Sequence, residues 1–305
     1  MSITVKKIAI PSSDGVHKLA GVVYIPEYKM KGIYHIVHGM TEHTGRYHRI
    51  MSDLALQGYL CVAYDSLGHG HTVIDKSELG YFADKKGWEI LSKDVKVFAD
   101  AIKAEYGSGL PYYLMGHSMG SFIIRLTAER FFVPDKLIIM GTGGPNPAAG
   151  VGLSIITIIK AIYGGHHISK FVDKLVFGRF KKKKSDDSKK GSWLTTDPEN
   201  RKKYWSEELP AFKFTVSAMG DLIKLMKYSN RKSWFKNISA DIPMLILSGG
   251  EDPVCDHGRG ILLVVNELKK RGKNVEYVLY KGARHEILND FTYDDVISDI
   301  LDFIE

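Results

Sequence analysis

Gly116-His117-Ser118-Met119-Gly120 is the stretch whose residue types and spacing describe a reacting group. The apolar run Tyr112–Met115 before it reads as a buried strand, and Ser121–Arg130 after it has helical length and good helix formers. A serine flanked two residues away on each side by glycine, on a strand-to-helix turn, is a nucleophile elbow. The turn must be very tight for the hydroxyl to stand clear, and the glycines keep Cβ atoms out of it. Chance alone yields these letters roughly 0.1 times in a chain of this size. The strand before and the helix after are therefore what make the assignment, and the pattern occurs nowhere else in the chain.

A serine hydroxyl is a poor nucleophile at neutral pH and needs a base, which in turn needs an orienting acid. After an elbow of this kind the partners follow in the order Ser, Asp or Glu, His. The histidines beyond Ser118 are His166, His167, His257 and His285, and only His285 falls between the last strand and the last helix. For the acid, Asp252 follows the strand ending near Ser248, with Glu251 and Asp256 as alternatives; Pro253 stiffens the backbone beside Asp252 and favours it. A tetrahedral intermediate also needs two backbone donors. One is the amide after the nucleophile, Met119. The other comes from the loop after the third strand, His38-Gly39-Met40, where Gly39 permits close approach to substrate and Met40 supplies the N–H.

The elements that must position these groups alternate along the chain. Ile3–Ile10 and Leu19–Ile25 read as an antiparallel pair around Ser12-Ser13-Asp14-Gly15. Ile33–Val37 and Tyr59–Tyr64 are strands separated by a helix over Tyr47–Gln57; Trp88–Tyr106 is a long amphipathic helix. Lys136–Met140, Pro243–Ser248 and Val275–Tyr280 are further strands, and helices cover Ile261–Lys270 and Tyr293–Ile304. This rhythm predicts an α/β fold with a mostly parallel sheet and helices on both faces, its site at the carboxyl ends of the strands. Between Gly143 and Met226 no strand is expected. The chain therefore divides into core residues 1–143, a helical cap insertion at 144–226, and core residues 227–305.

The 305 residues carry 44% hydrophobic and 25% charged side chains and a net charge of +7. That balance suits a globular enzyme, and no zinc-finger, helix-turn-helix or aromatic-basic pattern points to nucleic acid. Two cysteines, Cys61 and Cys255, are too few for a disulfide framework and lack metal-ligand spacing; the serine chemistry itself calls for neither a metal nor an organic cofactor. The N-terminal residues do not read as a signal peptide, and Val151–Ile162 is shorter than the ~20 residues of a membrane span. The expectation is a soluble, cytoplasmic protein.

His38-Gly39-Met40-Thr41-Glu42-His43-Thr44-Gly45-Arg46-Tyr47 resembles the HG-x-x-EH-x-GRY stretch of monoacylglycerol lipases and bacterial lysophospholipases. Gly116–Gly120 is similar to their GHSMG, and Gly282–Asn289 to their GARHEILN. The loop Asp65-Ser66-Leu67-Gly68-His69-Gly70 is similar to their D-x-RGHG, with Leu67 where relatives carry Arg. The resemblance implies an α/β-hydrolase fold, a triad of Ser118, Asp252 and His285, and a helical cap shaping an acyl tunnel. It puts Glu42 and Arg46 near the polar end of a substrate; an ordinary salt bridge at a helix start is the alternative reading of that pair. Cys255 resembles a thiol-sensitive position in relatives, against the reading of a small buried filler. The implied activity is a serine carboxylesterase acting on a single-chain lipid ester, monoacylglycerol first and lysophospholipid second. A proline-type aminopeptidase or thioesterase, or a non-catalytic binding protein, are the alternatives on such a fold.

Two features lie in the insertion. Val151–Ile162 is apolar on nearly every face, so it should line the acyl tunnel through Ile155 and Ile158 or rest on a membrane. Lys181–Lys190 holds six lysines and two aspartates, a net +4 against +7 for the chain. Following Phe171, Leu175, Val176, Phe177 and Phe180, the lysines Lys181, Lys182, Lys183 and Lys184 have the composition of an interfacial anchor for an anionic membrane. Oligomeric state is not written in these patterns.

Overall fold

A computed structural model describes residues 2–178, 191–206 and 212–305, apart from the side chain of Trp205. The chain opens with a hairpin, β1 (Ile3–Pro11) and β2 (Lys18–Pro26), followed by β3 (Gly32–Val37), α1 (His48–Leu56), β4 (Tyr59–Tyr64) and α2 (Gly87–Tyr106). Then come β5 (Tyr112–His117), α3 (Met119–Arg130) and β6 (Lys136–Met140). Helices α4 (Ala149–Tyr163), α5 (Lys170–Phe177), α6 (Pro198–Ser206) and α7 (Val216–Ser229) separate β6 from α8 (Lys232–Asn237) and β7 (Met244–Gly249). The chain closes with α9 (Arg259–Lys269), β8 (Val275–Tyr280) and α10 (Tyr293–Ile304).

The eight strands form one sheet in the order β1-β2-β4-β3-β5-β6-β7-β8. Pairing is antiparallel at β1–β2 and β2–β4 and parallel from β4 to β8. The strands β3, β4, β5 and β7 are buried along their whole length because both faces are covered, which is why their sequences are mostly apolar. The faces still alternate. Ile33 and Val37 of β3 join Tyr112 and Leu114 of β5 under α2, α3 and α7. Tyr34, Ile36, Tyr113 and Met115 join the opposite core with α1 and α10. That layering brings the carboxyl ends of β3, β5, β7 and β8 to one edge of the sheet.

Between β6 and α8, α7 packs on α3 and α2 and carries α4 on its outer side; it runs unbroken past Met226, so the expected boundary there falls inside a helix. Ala218 and Leu225 of α7 are fully buried. Arg125 of α3 is also fully buried; it donates to Thr142 Oγ1 at 3.1 Å and to the Ser229 carbonyl at the end of α7. Burial without a carboxylate pushes its pKa down to about 9, and its guanidinium lies 4.2 Å from the Trp234 ring. The buried guanidinium thereby ties the end of α7 to α3, the helix that begins directly after Ser118.

Candidate active site

The strand β5 delivers Ser118 at its carboxyl end, and α3 starts on the next residue. Ser118 has φ 52° and ψ −117°, a conformation that L residues avoid. The tightness is enforced by glycine on both sides: a Cβ on Gly116 would collide with the Gly120 carbonyl, and one on Gly120 with the Val37 carbonyl.

Ser118 Oγ lies 2.8 Å from His285 Nε2, and His285 Nδ1 lies 2.8 Å from Asp252 Oδ2. Asp252 is 0% and His285 2% exposed. The second carboxylate oxygen of Asp252 accepts the Val254 N–H at 2.8 Å, and Ser248 Oγ donates to the first at 3.3 Å. Asp256 instead pairs with Arg259 at the surface, and Glu251 is exposed beside His257. His166 stacks on Tyr81 and His167 on Tyr163, inside the insertion. The backbone of the His285 loop is held by the segment before α6. Glu286 N–H donates to Leu194 O at 2.7 Å, Arg284 donates to the Ser192 carbonyl, and the Trp193 ring lies 5.3 Å from the His285 ring.

The loop after β3 approaches Ser118 from the other side. Its Gly39 N–H is taken by Glu42 Oε2 at 2.6 Å, and its Thr41 N–H by His69 Nε2 at 3.2 Å. That leaves Met40 as the amide between them with no acceptor among the described residues. Met119, the first residue of α3, likewise has no helical acceptor for its N–H. His38 and His69 brace this loop as neutral imidazoles. His38 Nδ1–H donates to Gly39 O and its Nε2 accepts from Ser66 N–H; His69 Nδ1–H donates to Leu67 O while Nε2 accepts from Thr41. Burial lowers the pKa of both, that of His69 to about 3. Asp65 accepts the amides of Thr44 and His71 at 2.8 Å each, so this loop and the Met40 loop are tied together. Leu67 is buried in the apolar core.

Glu42 and Arg46 are neither an ordinary helix-start pair nor exposed. Glu42 precedes the single turn Thr44–Tyr47 and α1 begins at His48, so their four-residue spacing is not a helical one. Their side chains are 4% and 6% exposed. Arg46 bridges Glu42 at 3.1 Å and Glu286 at 2.6 Å. Glu42 Oε2 also accepts from Tyr47 OH at 2.8 Å and faces His117 Nδ1 at 3.0 Å, while His117 Nε2 faces the His285 carbonyl at 3.3 Å. Burial opposes the charge on Glu42, but His117 and Arg46 overcome it and hold the carboxyl well below its usual range. For His117 burial again opposes the charge, and the Glu42 carboxylate raises its pKa above the ordinary value. A protonated His117 donates from both nitrogens, to Glu42 and to His285 O. The backbone under Met40 and the loop carrying His285 thus share one buried charge network. The sequence reading missed His117 and Glu286. Their only signal was position, directly beside Ser118 and directly after His285.

Ile155 is half-buried on α4, and Ile158 is 60% exposed. The inward-facing residue is Ile156, packed towards α7. Phe180 and Lys181–Lys190 lie outside the described residues. Cys255 is fully buried against Ser248 and the Asp252 carbonyl, and burial followed by the nearby Asp252 charge pushes its thiol up to about 12. Among the described residues no group of side chains is set to hold a metal, and no helix is long and apolar enough to cross a membrane.

Residues 28–292 match the family described as serine aminopeptidase, S33. The monoacylglycerol lipase of Mycolicibacterium smegmatis is 23% identical over 97% of this chain and 98% of its own. A thermostable carboxyl esterase from Bacillus coagulans, solved in complex with glycerol, is 27% identical with a TM-score of 0.89 over 99% of this chain and 98% of that one. A lipase solved in an open form is 25% identical with a TM-score of 0.92 over the same shares.

Proposed function

We propose, for a chain that belongs to the serine aminopeptidase, S33 family and has the α/β-hydrolase fold, the hydrolysis of monoacylglycerol through an acyl-enzyme. The chain is a carboxylic ester hydrolase of the monoacylglycerol lipase type. The observation that carries the chemistry is the line of two 2.8 Å contacts from Ser118 through His285 to Asp252. In this reading Ser118 Oγ attacks the ester carbonyl as its proton passes to His285 Nε2. Asp252 holds the imidazole by its Nδ1–H and stabilises the imidazolium. The Met40 and Met119 amides receive the oxyanion. Glycerol leaves with the proton from His285. Water, deprotonated by the same imidazole, then attacks the acyl-enzyme, releases the fatty acid and restores Ser118.

The family description names a peptidase. A free α-amine needs an uncommitted carboxylate, and among the described residues the two glutamates beside the triad loops, Glu42 and Glu286, are both paired with Arg46. The glycerol complex of the esterase and the name of the mycobacterial relative support a glyceride. The experiment is a hydrolysis panel of monoacylglycerols, lysophospholipids and amino-acyl amides. Monoacylglycerols are expected to give the highest kcat/KM; faster release from an amino-acyl amide overturns the reading.

In the same reading residues 144–226 are a cap over the site and rest on a lipid surface. Val151, Ile158, Ile162 and Tyr163 of α4 and Phe171 of α5 are 59–67% exposed, a concentration of apolar side chains that water does not favour. Lysines 181–184 follow, each contributing about 1 kcal/mol near an anionic surface. Co-sedimentation with anionic vesicles tests this: glutamine at these four lysines should remove the salt-sensitive part of binding and leave turnover of a soluble short ester unchanged. Equal binding of both proteins sinks the membrane reading and leaves the esterase reading intact.

A further inference from the structure

The loop that carries Met40 is bent at Thr41, whose φ is 54°. A β-branched residue in this region is strained, and glycine would be the ordinary choice. What Thr41 supplies instead is a hydroxyl. Thr41 Oγ1 donates to the Met40 carbonyl at 2.7 Å, and the same oxygen lies 2.7 Å from Tyr204 OH. A hydroxyl has one proton, and Thr41 spends its own on Met40, so Tyr204 O–H is the donor in the second bond.

Tyr204 stands on α6, in the insertion, 163 residues from Thr41. It is buried, and its ring lies 4.7 Å from the Arg46 guanidinium. Arg46 holds Glu42, and Glu42 holds the Gly39 amide. One side chain of the insertion therefore bears on both ends of the Gly39–Glu42 loop, through Thr41 at the bend and Arg46 at the base. Two of the bonds at Thr41 belong to the core, from His69 and Met40; the third belongs to α6.

We propose that Tyr204 is a positioning residue for the oxyanion hole: its hydroxyl holds Thr41 in its strained conformation and so aims the Met40 amide at the reacting oxygen. The inference rests on the reading of Met40 as an oxyanion donor. When α6 is docked, the loop is held; when α6 moves away, Thr41 loses the bond that opposes its relaxation, and the Met40 N–H turns from the site. Docking of the insertion and competence of the oxyanion hole are then one event.

The test is a double-mutant cycle of Y204F and T41G on a soluble p-nitrophenyl butyrate, with inhibition by a short alkyl trifluoromethyl ketone as the second readout. That ketone forms a tetrahedral adduct on Ser118 and needs the oxyanion hole. Phenylalanine keeps the ring over Arg46 and removes only the hydroxyl. Y204F should lower kcat about tenfold with KM within twofold, and weaken the ketone by the same factor. In the T41G background the same substitution should change kcat by less than twofold, since its partner is gone. Wild-type kcat in Y204F overturns the proposal, and so does an undiminished tenfold loss in T41G. Wild-type protein that neither turns over the ester nor takes a fluorophosphonate on Ser118 removes the esterase reading itself, which separates the two failures.

Discussion

At the sheet edge Asp252 and His285 are 0% and 2% exposed; on α4, Val151 and Ile162 are 65% and 67% exposed. The first region buries charge and polarity, and the second exposes hydrocarbon. Each is unfavourable by itself, and the compensation differs. In the buried region it is internal: Glu42 and Asp252 each have several hydrogen-bond partners, so no ionised oxygen is left bare. On α4 and α5 nothing among the described residues covers the exposed apolar side chains, and in the proposed function lipid does. The site is closed on itself, and the outer face of α4 and α5 is left open among the described residues.

The comparison is broken most severely at the nucleophile. Ser118→Ala should lower ester turnover by about 10⁴-fold or more and abolish fluorophosphonate labelling, with the thermal midpoint within a few degrees of wild type. Asp252→Asn should lose about 10³- to 10⁴-fold, while Asp256→Asn, at a surface pair, should stay within twofold. A dead Asp256 variant would overturn the choice of acid.

A second break is in the buried network. Glu42→Gln leaves Arg46 with Glu286 alone and removes the charge facing His117, so chemical denaturation should show a loss of about 3 kcal/mol. Turnover should fall as well, about tenfold or more, because the Gly39 amide loses its charged acceptor. A variant as stable and active as wild type would show that the network is incidental.

On the open region the effect should depend on the substrate. Ile158→Glu with Phe171→Glu should leave turnover of a soluble butyrate ester within twofold and lower turnover of monoacylglycerol in vesicles about tenfold. Equal loss on both substrates would place these residues in the folding of the insertion.

Stability should also depend on pH. His35 and His69 are buried with pKa lowered to about 3, below the ordinary value near 6.5. The unfolded chain takes up their protons first, so stability should fall as pH drops from about 6.5 towards 3, by about 1.4 kcal/mol per pH unit for each. His117 has the opposite sign. Its folded pKa is raised, so its contribution is full below about 6.5 and is lost as pH rises through the raised value. Denaturation midpoints of wild type and His117→Gln should therefore differ most near pH 6 and converge at higher pH.

Much of this molecule was legible in its sequence because the relevant information is local. The parallel inner strands are short, mostly apolar runs since they are buried on both faces, and β4 and β8 fall on the expected residues. The elbow was visible because a turn that tight excludes Cβ atoms at two fixed positions, and His285 stood apart as the histidine between the last strand and the last helix. Other features were decided only in three dimensions. Composition marked α4 as apolar all round, but the packing of α7 against one side chose Ile156 for burial and left Ile158 outside. A helix-start pair was one reading of Glu42 and Arg46; the fold put Arg46 on the single turn before α1, left Glu42 ahead of it, and supplied Glu286 from 240 residues away. The bond from Tyr204 to Thr41 spans 163 residues. Such contacts have no periodicity and no spacing, because they depend on how separate elements dock. Sequence pattern records what each segment needs of its own backbone and faces, and tertiary structure alone decides which polar groups meet across the site.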